Sequence, residues 1–265
     1  MERKDVVAHG SSAAAMKELE ERRLRLCRLT PDRALASVEE AHDFLRRRGM
    51  LIRTQDSALP SFFAACHEEP YAPGGRGFAG WPKTKYTWYF QLAELEDVHE
   101  LKVHNGKSIL FTDQTLALVD ALCRRELDRR KDDLLLTHLA ATGPSTLGDL
   151  QTELALSAKD LRSMRAPLER SGALVGRALR IKLRDGGHSH TSELLRYDQA
   201  YPEPRHGGGL DELIVAAVRA VVLAPERELN RWFPWRVDAE TVDRLVAGGR
   251  LVRPEPDWIT ASPFA

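Results

Sequence analysis

The chain is poor in cysteine. Cys27, Cys66 and Cys123 are odd in number, far apart and in no Cys-x-x-Cys spacing. That disfavours both a disulfide framework and a thiolate zinc site, and makes a reducing cytoplasm the expected compartment. No apolar run approaches the ~20 residues of a membrane span, and residues 1–15 contain no apolar signal core. Neither membrane insertion nor secretion is therefore expected. An excess of one charge is also missing, since 39 Lys and Arg balance 39 Asp and Glu. Net charge thus argues neither for nor against a polyanionic partner, and only its distribution can. There is no Walker loop, no Gly-x-Gly-x-x-Gly and no Gly-x-Ser-x-Gly, and no cofactor is expected. The remainder is an ordinary globular composition, 43% hydrophobic and 29% charged. The length suits two domains or three small ones, at about 100–200 residues each.

What is present is a repeat. Residues 132–183 and, more compactly, 210–259 each read as three short helices followed by a hairpin, the order of a winged helix-turn-helix. In the first copy a helix over 132–141 ends at Gly143-Pro144, and Ser145 or Thr146 caps a second over 147–155. Ser157 and Asp160 form a capping box for the third helix, with Leu161, Met164, Leu168 and Ala173 as its buried stripe. Arg162 and Arg165 are assigned to the opposite side, where a groove would lie. Pro167 predicts a kink or a shortened helix, and Gly172 ends it. Strands follow at 174–175 and 178–183, with Asp185-Gly186 as the turn.

Charge coincides with this motif. Lys159, Arg162, Arg165, Arg170, Arg177, Arg180, Lys182 and Arg184 are opposed only by Asp160 and Glu169. Proteins that bind DNA gain much of their affinity by neutralising phosphates, so this stretch is the candidate DNA contact. A solvated basic face is the alternative. In the second copy acids match or exceed bases. A helix over 210–223, a short one opened by Pro225, and a third capped by Asp238 lead to strands at 251–252 and 258–259. Trp232 and Trp235 are expected as core or interdomain anchors, and this copy as a packing module.

Upstream, Ser37 and Glu40 form another capping box for a helix over 38–48, ended by Gly49. A strand at 49–53, a helix at 59–66 and a Gly/Pro loop at 70–80 follow. The densest aromatic cluster comes next, with Lys83, Lys85, Tyr86 and Trp88 able to stack on or track nucleic acid. The competing reading makes Tyr86, Trp88 and Phe90 the buried face of a strand. Asn105-Gly106 marks a hairpin between 100–103 and 108–111, and a helix runs over 113–129. Residues 1–28 read as a loose tail passing into a charged helix, docked by Leu19, Leu24, Leu26 and Leu29. His188 and His190, with His206 nearby, lack an acid or thiolate set, which favours a polar wing tip over a metal site.

The stretches LLLTHLAATGPSTLGDLQTELALSAKDLRSMRAPLERSGALVGR, HSHTSELLRYDQ and AAVRAVVLAPERELNRWFPW together resemble the winged-helix DNA glycosylase superfamily that excises alkylated or crosslinked bases (AlkZ-like). With GWPKTKYTWYFQLAELEDVHELKVHNGK they are similar to a bacterial subgroup related to those enzymes. The resemblance implies tandem winged helices in one C-shaped, DNA-embracing protein. It also implies a Gln-apolar-Gln or Gln-apolar-Asp triplet on the strand after a glycine-ended helix, where polar groups hold water against the sugar carbon. Here that triplet is Ile52-Arg53-Thr54, and the candidate catalytic pair is displaced to Gln55 and Asp56; a plain turn is the alternative for them.

The sequence therefore predicts a mainly α fold with small β-hairpins (α+β), built of tandem winged helix-turn-helix modules. Its expected segments are an arm (1–30), a divergent winged-helix module with the aromatic insertion (31–130), a winged helix (131–200) and a second (206–265). The expected partner is double-stranded DNA, bound by a monomer without membrane or small-molecule cofactor. An active glycosylase working through Gln55 and Asp56 is the alternative.

Overall fold

The structure, a computed structural model, describes residues 3–75, 77–182 and 188–263, and side chains over 13–75, 77–179 and 191–263. The fold is α+β, mainly helical with three small antiparallel sheets. Three times the chain lays down a helix, a short strand, two helices and a hairpin. Each time the strands close into a sheet whose middle strand is the last in sequence. The sequence shows two of these units clearly; the structure has three.

Before the first unit, α1 (Arg3–Leu26) is helical from Arg3, where the sequence predicts a loose tail; its Ala, Glu, Lys, Arg and Leu residues are good helix formers. Met16 and Cys27 are buried, but Leu24 faces solvent instead of docking. The Cys27 thiol lies 3.5 Å from the Ala220 carbonyl, and Arg23 donates to the Ala58 carbonyl at 3.4 Å.

The first unit starts with α2 (Val38–Arg48). The Ser37 hydroxyl caps it by accepting from Glu40 N–H at 3.2 Å. The expected box closes only halfway, because the Glu40 carboxylate accepts from Ala36 N–H and Arg28. Gly49 ends the helix at φ +80°, and a Cβ there would lie 2.8 Å from the Thr115 methyl. The unit continues with β1 (Met50–Ile52), α3 (Phe62–Cys66), α4 (Tyr86–Ala93), β2 (Val98–His104) and β3 (Lys107–Thr112). Asn105 and Gly106 both take positive φ at the hairpin turn, as their chemistry predicts. Strand alternation puts Met50, Ile52, Ile109 and Phe111 into one core and Leu51 and Leu110 into another. This small sheet is thus buried on both faces.

A long helix, α5 (Asp113–Arg129), leads to the second unit: α6 (Leu134–Thr142), β4 (Ser145–Thr146), α7 (Leu147–Glu153), α8 (Ala158–Ser171), β5 (Leu174–Lys182) and β6 (His188–Arg196). Thr146 and Asp149 complete a capping box on α7. Ser157 caps α8, which runs through Pro167 to Gly172 at φ +82°; the proline does not shorten it. The hairpin forms one continuous pairing from Leu174–Arg196 to Lys182–His188, not two separate short strands.

After α9 (Tyr197–Ala200), the third unit consists of α10 (Leu210–Val221), β7 (Ala224–Pro225), α11 (Leu229–Trp232), α12 (Ala239–Ala247), β8 (Leu251–Val252) and β9 (Trp258–Ala261). Pro225 ends the edge strand β7, where its ring is tolerated opposite Trp258. As expected it also opens the next helix, capping a 3-10 turn over Glu226–Glu228 that runs into α11.

One hydrophobic core runs through all three units. Leu116, Val119, Leu122 and Leu127 of α5 share it with Leu135, Leu161 and Leu168 of the second unit and with Leu213, Val218 and Trp232 of the third. The first hairpin reaches into the third unit: His104 Nδ1 donates to the Trp232 carbonyl at 2.8 Å and the Asn105 amide to the Arg231 carbonyl. Among the described residues no helix is long and apolar enough to cross a membrane.

Candidate nucleic-acid interface

The face of α8 that points away from the core carries Lys159, Arg162, Ala166 and Arg170, all exposed. At about 100° per residue these positions fall in one stripe. Lys159, Arg162 and Arg170 make no ion pair among the described residues. Such unanswered cations on a helix leave their full charge to a ligand, whereas paired ones do not.

Arg165 is not part of that stripe. It lies four residues, about 40° of helix, from Leu161, and so at the edge of the buried side. Its guanidinium lies 3.9 Å from Glu169, only a fifth of the side chain is exposed, and Nη1 is buried without an acceptor. Glu169 is 6% exposed and accepts from the Lys102 ammonium of β2 at 2.6 Å. Gly176 makes room for it, since a Cβ there would approach Glu169 Oε1 to 2.9 Å. Arg165, Glu169 and Lys102 therefore seat α8 on the first unit, and the expectation that Arg165 faces a groove is corrected.

On β5, Arg177 is exposed but donates to the Ala200 carbonyl at 3.0 Å. Arg180 and Lys182 lie further along the same strand, with side chains outside the described residues, and Arg184 is outside them altogether. So are the side chains of His188 and His190, which belong to the return strand β6. Among the described residues no group of His, Cys, Asp or Glu could hold a metal.

The aromatic cluster belongs to a helix. Tyr86, Tyr89 and Phe90 follow helical spacing, and that period wins over the strand alternation the sequence also permits. Tyr89 and Leu92 are buried in the first unit's second core, with Trp88 and Phe90 packed on it. The Lys85 ammonium is already held by the Leu35 and Cys66 carbonyls, at 2.7 and 3.1 Å, and lies over Trp88. Lys85 and Trp88 are thus structural, contrary to expectation. Lys83 remains exposed, and Tyr86 stays half-buried among Tyr71, Phe78 and Trp81.

The displaced pair Gln55 and Asp56 lies in a bend after β1, beside the first hairpin and not on the α8 stripe. Partial burial would raise the Asp56 carboxyl, but hydrogen bonds from Lys107 and Thr54 outweigh it and hold the group below the usual carboxylate range. Gln55 is exposed, with no hydrogen bond among the described residues. In the triplet position, the Arg53 guanidinium stacks 4.9 Å from the centre of Trp81 and 5.6 Å from that of Tyr89. Where the resemblance implies polar groups, this chain has a packed arginine.

Three arginines complete the basic surface, and two of them, Arg129 and Arg130, carry no motif in the sequence. Arg170, from the basic run, lies at the end of α8, and Arg129 and Arg130 at the end of α5 border the same cleft. Basic residues in a last helical turn carry no distinctive signal, because the helix dipole favours them there anyway. Compared with known proteins, the chain matches no family model, no curated protein and no solved structure.

Proposed function

We propose that this chain is a tandem winged-helix protein that holds duplex DNA through the exposed stripe of α8. On this reading it is related to the alkylation- and crosslink-repair glycosylases but lacks their catalytic triplet. The order helix, strand, helix, helix, hairpin is that of a winged helix, and α8 occupies the place of its recognition helix. The observation that carries the reading is the free charge of Lys159, Arg162 and Arg170 on one face, at the position where such a fold meets a groove. The stripe lacks Asn and Gln, the side chains suited to bidentate reading of adenine. Its arginines can take guanine edges as well as phosphates, and we read them as phosphate contacts that bind largely independently of sequence.

A gel shift over a salt series tests this. Duplex binding at low salt, weakened about tenfold or more in the pair Lys159→Ala and Arg162→Ala, is expected; each lost phosphate contact lowers the salt slope by about one. No binding at low salt, or binding indifferent to the pair, overturns the reading. The proposal stops at binding, because the Asp56 carboxylate is committed to Lys107 and Thr54. Release of base from alkylated duplex, removed by Asp56→Asn, would show that the reading stops too soon.

A further inference from the structure

A cleft of about 450 Å³ opens where α5 and α8 both end against Pro234 and Trp235 of the third unit. Three guanidiniums, those of Arg129, Arg130 and Arg170, border it, with Glu126 as the single carboxylate. One oxygen of Glu126 serves two of them, at 2.6 Å from Arg129 Nη2 and 3.5 Å from Arg130 Nε. Arg170 has no such partner among the described residues. Its guanidinium lies over the hairpin tip, where a Cβ on Gly106 would come 3.5 Å from Arg170 Nε. The fold thus supports this side chain from one side and leaves its charge unanswered.

Trp235 also lines the cleft. Trp235 is 6% exposed, and its indole N–H is buried with no acceptor. That N–H is out of reach of solvent, so the ring and not its donor borders the cleft. The charge count favours an anion even after the helix ends are included. The carboxyl ends of α5 and α8 each contribute roughly half a negative charge. Together with Glu126 they offset two arginines, and one positive charge remains. Guanidinium forks match the oxygens of phosphate.

We infer that this cleft is a phosphate-binding site, formed jointly by α5, α8 and the third unit, in which Arg129, Arg130 and Arg170 hold the phosphate and Trp235 borders it. As a contact for DNA it rests on the binding reading above and extends it. Lys159 and Arg170 are eleven residues apart, about 16 Å along the helix and the axial rise of roughly five nucleotides of one strand. The stripe of α8 leads directly into the cleft, so a backbone tracked by the stripe continues there.

The test follows the indole N–H resonances of the full chain by NMR, with the Trp235 signal assigned from Trp235→Phe. Inorganic phosphate is titrated at constant ionic strength, with acetate as the control anion, and a short duplex is titrated separately. Phosphate, and not acetate, is expected to shift the Trp235 signal, and Arg170→Ala to remove that shift. The same substitution is expected to lower the salt slope of duplex binding by about one. Arg170 is exposed, and an unchanged melting temperature confirms that the variant folds. A Trp235 signal indifferent to both titrants, or a shift that survives Arg170→Ala, overturns the site. A shift with phosphate alone, while the duplex leaves the signal and the slope untouched, supports the site for a small phosphorylated ligand and removes it from the DNA path. Loss of duplex binding in Arg162→Ala without any effect of Arg170→Ala sinks this inference and leaves the α8 reading standing.

Discussion

The third helices of the second and third units occupy the same place in the same order of elements, yet their charges are treated in opposite ways. Lys159, Arg162 and Arg170 on α8 have no ionic partners among the described residues. Around α12 three cations are answered, Arg244 by Asp211, Arg250 by Glu212 at 3.1 Å, and Arg253 by Glu226 and Asp243, both at 2.6 Å, while Arg236 before its cap makes no ion pair among the described residues. The third unit instead contributes apolar bulk, with Trp232, Phe233 and Trp235 buried and the first hairpin anchored on its carbonyls. A repeated backbone plan does not carry a repeated role. The side chains on one helix face decide whether a copy is free to grip or is occupied in packing.

The largest expected effect breaks the packing side of this contrast. Trp232 is fully buried in the core shared by all three units, so Trp232→Ala should cost about 3–5 kcal/mol, read by chemical denaturation. A loss under 1 kcal/mol would mean that the third unit is not an anchor. A smaller effect sharpens the charge side. Arg253→Ala removes one cation from two carboxylates and should cost roughly 0.5–1 kcal/mol, while duplex affinity stays within twofold. A drop in affinity comparable to that of the α8 variants would erase the distinction between the units.

The smallest effect concerns the junction between the first and third units. Burial lowers the proton affinity of His104 against the partial opposition of its bond to the Trp232 carbonyl. The unfolded chain then binds the extra proton, so stability is full above about pH 6.5. It falls as pH drops through that value and levels off below the depressed native one. His99 is shifted the same way, chiefly by burial. His104→Gln should therefore flatten part of the decline in melting temperature between neutral pH and about pH 5, and an unchanged slope would remove His104 from the junction's pH response.

What could be read in advance was local chemistry. Ser37, Ser157 and Asp238 cap helices where their side chains predict; Gly49 and Gly172 stop them; Asn105-Gly106 turns the hairpin; and α5 has the expected bounds. The strand β1 lies within the expected 49–53, whereas β4 and β7 are two residues long, too short for a period, which is why the opening strands of the other two units were hidden. The aromatic segment satisfied two periods at once, and only packing on the first sheet selects the helix. Arg165 was legible but misplaced, since helical geometry alone puts it beside Leu161. The cleft was not legible. Its arginines are about forty residues apart in sequence, and its indole comes from a different unit.

The 17 residues of α5, about 26 Å of helix, are embedded in that common core and touch both the first sheet and α10. Such a strut fixes the distance between the parts packed along it. On the proposed binding, a stiff duplex laid across α8 and the cleft cannot ask the protein to open or swing. The accommodation falls to the nucleic acid, so sites that bend easily should be held best, whichever bases they contain.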